Sequence, residues 1–60
     1  MADSQLPPVL TVQQAAEYLG ISPQELYILL KAGRIPAFKV GTEWRFDRAA
    51  IDRWAEALQP

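Results

Sequence analysis

Between two complete helix signals in this chain lie only Gly20, Ile21 and Ser22, and that brevity limits the fold more than any other feature. Thr11 is followed three residues later by Gln14, the spacing of a capping box. In such a box the hydroxyl accepts from a free backbone N–H while the longer side chain returns to the N–H of the cap residue. Ser22 with Glu25 repeats the pattern, and Pro23 takes the first helical position, where its missing N–H is no loss. Gly20 and Gly33 supply left-handed stops. Two helices joined this tightly must turn sharply and share a core, so the sequence predicts a helix-turn-helix.

The apolar spacing assigns the faces. On the first helix Val12, Ala15, Ala16 and Leu19 recur at helical intervals, and the two alanines admit a close neighbour. On the second, Leu26, Leu29 and Leu30 form one stripe, which turns Gln24, Tyr27, Ile28 and Lys31 outward. A third helix is expected from Asp47, whose carboxylate can cap it, with Phe46 and Ile51 at the spacing of a hydrophobic staple. Ile51, Trp54, Ala55 and Leu58 make its inward stripe and leave Asp52, Arg53 and Glu56 to solvent. Ile21 and Leu26 have staple spacing at the start of the second helix.

Residues 35–46 read as a hairpin around Gly41 and Thr42. A two-residue loop would pair Val40 with Glu43 and put Phe38 and Val40 on the face opposite Trp44 and Phe46, leaving one apolar pair in water. A three-residue loop, Gly41-Thr42-Glu43, would gather all four on one face, and this is the expected register. It makes Lys39 and Arg45 cross-strand neighbours on the other face, where like charges repel unless an anion compensates. Two adjacent cations on a ribbon point to a phosphate contact, and Lys31, Lys39 and Arg45 are expected to converge on one side of the body. Trp44, Trp54, Phe38 and Phe46 are expected in the core, because so short a chain has few other large groups to bury.

Composition then narrows the function. Sixty residues hold one domain with a small core, and a chain without Cys or His has no disulfide, thiol nucleophile, Cys/His zinc site or imidazole base. Asp47 and Asp52 are an acidic pair expected on one helix, but their spacing does not bring them face to face, and no glycine-rich phosphate loop exists. A binding module is expected rather than an enzyme, with no cofactor, metal or small-molecule ligand. The net charge of −1 conceals an asymmetry: residues 1–30 contain Asp3, Glu17 and Glu25 and no cation, while all six cations lie within residues 31–53. Residues 1–9, with Pro7-Pro8, are expected to be a flexible lead-in and residues 10–60 the domain. No membrane span or signal peptide is visible, which makes the cytoplasm the expected compartment.

Helix, turn, helix, hairpin and helix at this size make a mostly α fold with a small β-hairpin, a winged helix-turn-helix. The runs LTVQQAAEYLGIS and LYILLKAGRIPAFKVGTEWRFDRAAIDRWAEAL resemble the DNA-binding domain of the excisionase family, a relative of the MerR-type regulators. The similarity covers Leu10 to Leu58. It is most specific at Leu10-Thr11-Val12 with Ala15-Ala16, at Gly33-x-Ile35-Pro36-Ala37-Phe38, at Val40-Gly41 and at Trp44-Arg45-Phe46. The resemblance implies a double-stranded DNA partner, with the second helix in the major groove and the hairpin wing on the adjacent groove or backbone. It implies transcriptional control or accessory work in recombination.

The second helix departs from that family. Members usually carry basic or small polar residues where this chain has Pro23, Gln24, Glu25 and Ile28, and Glu43 stands in the wing where a neutral or basic residue is usual. The candidate DNA-binding residues are therefore Gln24, Tyr27, Ile28 and Lys31 on the helix and Lys39 and Arg45 on the wing. Gln can bond adenine twice, Lys can reach guanine or phosphate, and Ile offers only an apolar contact to a thymine methyl. An exposed Ile28 also opens a second reading, a helix-turn-helix turned to protein contact or self-association through the second helix.

Overall fold

The computed structural model describes residues 7–58. Its elements run β1 (Val9–Leu10), α1 (Val12–Leu19), α2 (Pro23–Lys31), β2 (Phe38–Val40), β3 (Glu43–Asp47) and α3 (Arg48–Ala57). Three helices with a small antiparallel sheet make the winged helix-turn-helix that the sequence predicts.

Both capping boxes form. The Gln14 N–H donates to Thr11 Oγ1 at 3.1 Å and the Thr11 N–H to Gln14 Oε1 at 3.0 Å. At α2 the Glu25 N–H donates to Ser22 Oγ and the Ser22 N–H to Glu25 Oε1, both at 3.1 Å. The two helices also end alike. Gly20 at φ 74° donates to the Glu17 carbonyl while Ile21 donates to that of Ala16, and Gly33 at φ 70° donates to Leu30 while Arg34 donates to Leu29. Each glycine thus closes a Schellman motif, whose left-handed residue lets the chain reverse without straining a Cβ.

The third helix starts differently from expectation. Asp47 is its N-cap, but the carboxylate makes no capping bond. The Arg48 N–H instead donates to the Pro8 carbonyl at 2.9 Å. A backbone acceptor from the preceding segment thus satisfies an orphan donor of the helix.

That segment forms a strand absent from the sequence reading. β1 lies antiparallel on β3, with Val9 opposite Asp47 and Leu10 opposite Phe46, so the sheet order is β1-β3-β2. The strand begins at Val9, inside the span assigned to a flexible lead-in; residues 1–6 of that span lie outside the described residues. Leu10 and Phe46 share a face by this register and are fully buried together with Leu26 of α2 and Ile51 of α3. Ala15 and Ala16, also buried, bring α1 down onto this cluster. Fully burying a side chain of this size contributes about 1.5–3 kcal/mol, so these four and their neighbours hold the sheet to all three helices.

The hairpin takes the other register. Phe38 pairs with Arg45, Lys39 with Trp44 and Val40 with Glu43, leaving a two-residue loop of Gly41 and Thr42. Gly41 has φ 64° and Thr42 a negative φ, the signs of a type II′ turn, which takes glycine at its first central position and matches the strand twist. The local turn outweighs the gathering of apolar side chains: Phe46 is fully buried and Trp44 half-buried, while Phe38 and Val40 stay 41% and 57% exposed. The same shift removes the like-charge juxtaposition, because directly opposed residues share a face and Lys39 and Arg45 are no longer opposed.

Two expectations on α3 also change. Asp52 is half-buried and accepts from the Tyr18 hydroxyl at 2.6 Å, a bond between α3 and α1. Leu58 is 66% exposed because it is the C-cap, beyond the last turn that reaches the core. Trp54 packs partly against the core and donates its indole N–H to the Arg34 carbonyl at 2.6 Å, joining α3 to the loop that leaves α2.

Candidate nucleic-acid interface

The second helix buries Leu26 and Leu30, half-buries Leu29 and exposes Gln24, Tyr27, Ile28 and Lys31. That outward row agrees with the periodicity. Its members do not meet one environment, because consecutive positions on a helix diverge by about 100°. Tyr27 lines a cleft of about 400 Å³ with Thr11, Val12 and Gln13 at the start of α1 and with Thr42, Glu43, Trp44 and Arg45 of the hairpin. Ile28, 68% exposed, lines a smaller recess of about 270 Å³ with Ile21, Glu25 and Leu29. The structure therefore brings Tyr27 and Arg45 to one cleft and sets Ile28 in a separate, mainly apolar recess.

The two wing cations have separate surroundings. Lys39 lies opposite Trp44, its Nζ 5.3 Å from the ring centroid, a cation–π distance. Arg45, whose side chain is 28% exposed, forms an ion pair through Nη2 with Glu43 Oε1 and donates from Nη1 to the Trp44 carbonyl at 2.9 Å. Glu43 and Arg45 share a face because strand side chains alternate with period two. Lys39 and Arg45 lie on opposite faces of the ribbon, so the expected adjacent cation pair does not form. Its premise was the three-residue loop, and the type II′ turn moves each cation by one register step.

The sequence reading missed Thr11, Gln13, Thr42 and Glu43 as walls of the cleft around Tyr27. Thr11 and Gln13 meet the wing only through the tertiary fold and leave no local signal. Glu43 had one: a carboxylate two residues from an arginine in a strand places both charges on the same side. Glu25 was read correctly, since its carboxylate serves its own helix end.

An exposed helical row on the second helix of a tight pair, flanked by a β-ribbon, defines the winged helix-turn-helix class. A family model described as the helix-turn-helix domain matches residues 9–59. A probable excisionase from Saccharopolyspora erythraea is 38% identical over 50 residues, which cover 83% of this chain and 51% of that protein. The chain thus spans about half the length of the curated relative it matches. It belongs to this helix-turn-helix domain family. Among the described residues no helix is long and apolar enough to cross a membrane.

Proposed function

We propose that this module binds duplex DNA in a sequence-dependent way, in transcriptional regulation or as an accessory to recombination, and does so in the cytoplasm. Gln24, Tyr27, Ile28 and Lys31 face the major groove and the ribbon lies along the flanking groove or backbone. The observation that carries this reading is the exposed row on α2, of which Tyr27 borders the cleft toward the hairpin, beside a wing with a cation on each face. Of these two cations Lys39 lies over the Trp44 ring and can turn to a phosphate, while Arg45 is held by Glu43. The similarity to a probable excisionase supports the same reading.

The test is a fluorescence titration at low salt against a random-sequence duplex pool, followed by selection. Enrichment of a sequence, with affinity that falls as salt rises, is the expected result. Salt-independent binding without enrichment rejects the reading.

A second reading has its own observation: the recess of Ile21, Ile28 and Leu29, which suits an apolar side chain from a second copy. Ile28→Arg separates the two. Contact with DNA predicts tighter binding, since a cation then faces the phosphates, and self-association predicts loss of assembly in sedimentation.

A further inference from the structure

Arg45 is the one cation that borders the cleft between α2 and the wing, and the described structure gives its guanidinium two acceptors from its own strand, the Glu43 carboxylate and the Trp44 carbonyl. An arginine facing a nucleic-acid phosphate is satisfied in a similar way, by anionic oxygens held in front of its planar fork. Glu43 itself lines the cleft and its side chain is 67% exposed, so it is not held by burial. We propose that the carboxylate of Glu43 occupies the position of a DNA phosphate, which makes Glu43 a built-in competitor that sets the affinity of the wing.

The inference rests on the DNA-binding reading and adds to it a single residue that determines how much charge the wing contributes. A carboxylate on Arg45 has two effects. It removes one cation from those that release counterions on binding, and it fills the place in front of the guanidinium that a phosphate oxygen would take. An exposed ion pair is weak, so the competitor can be displaced, but displacement has to be driven by correct contacts elsewhere on the helix. Non-specific duplex, which lacks those contacts, would leave the pair closed. Glu43 would thus reduce non-specific binding more than specific binding, a discrimination achieved through an unfavourable contact.

The experiment is a double-mutant cycle on the full chain, with Glu43→Gln, Arg45→Gln and the double variant. Each is titrated by anisotropy with a fluorescein-labelled random-sequence duplex over a salt series. Glu43→Gln is expected to tighten binding on the order of tenfold at low salt, the increment of one charge-assisted contact. It should also steepen the log–log salt slope by about 0.9, the value for one more phosphate neutralised. Arg45→Gln alone should leave the parent slope nearly unchanged, and in the Glu43→Gln background it should abolish the gain. Thermal melts of all three near the parent temperature are expected, because an exposed pair adds little to stability.

Two results overturn the proposal while leaving DNA binding in place. One is that Arg45→Gln flattens the parent slope by about 0.9, which means that Arg45 already rests on a phosphate. The other is that Glu43→Gln tightens binding equally with and without Arg45, which makes Glu43 a general repulsive charge. Failure of both parent and Glu43→Gln to bind at the lowest salt rejects the DNA reading and this proposal together.

Discussion

Trp54 performs two tasks with one side chain: its ring packs against the core and its indole N–H satisfies the Arg34 carbonyl. Trp54→Ala is expected to cost about 3 kcal/mol, the lower end for an aromatic deletion because the ring is only half-buried. A domain of this length has a total stability of about 3–9 kcal/mol, so thermal unfolding should show a large loss or no cooperative transition. A melt within a few degrees of the parent contradicts the placement. At this scale the sequence was most legible where the chemistry is local. Both capping boxes join residues three apart, and both formed as read. The Tyr18–Asp52 bond joins residues 34 apart and left no trace in the local pattern, so Asp52 was assigned to solvent. Phe38 was assigned to the core on size and on a three-residue loop, whereas the observed two-residue turn three residues away sets its face opposite Arg45.

At the scale of elements, helix existence and facing followed from apolar spacing, and the glycines at 20 and 33 ended their helices as expected. The sheet was less legible for two reasons. β1 is two residues long, too short to display a period, and depends on pairing with the far end of the chain. The hairpin register involved two competing local rules. Grouping of apolar side chains favoured a three-residue loop, and glycine at the first position of a two-residue turn favoured the observed one. The exposed wing lies largely outside the core, so the penalty for leaving Phe38 and Val40 in water was too small to decide it. The register has a direct NMR signature. Lys39 faces the Trp44 ring, and its side-chain methylene protons are expected upfield of their random-coil positions, with the shift lost in Trp44→Ala. Ring-shifted Val40 methyls with Lys39 at random-coil positions would indicate the three-residue loop instead.

The described residues measure 31 × 30 × 18 Å, close to one turn of duplex, which is about 34 Å. On the DNA-binding reading one copy spans no more than about one turn, so affinity is expected to rise with repeated or paired sites. Lys31 and Lys39 are the cations expected to face phosphate while Arg45 stays with Glu43, which predicts a salt slope of about −2 for one copy. A slope steeper than about −5 would require a wider basic surface than this fold presents. The concentration of every cation within residues 31–53 was visible in the sequence, and it locates the charge on the end of α2, the wing and α3. The division of the α2 row between a cleft and an apolar recess was not visible, because it depends on where α1 and the wing stand around the helix. The central claim is that the outer row of α2 and the ribbon together meet DNA, and amide shift mapping during a duplex titration tests it most directly. The account predicts progressive shifts at Gln24, Tyr27, Ile28 and Lys31 and through residues 39–45, with Arg53 and Glu56 on the outer side of α3 unmoved. Shifts confined to α3, or an unchanged spectrum at low salt and saturating duplex, would contradict it.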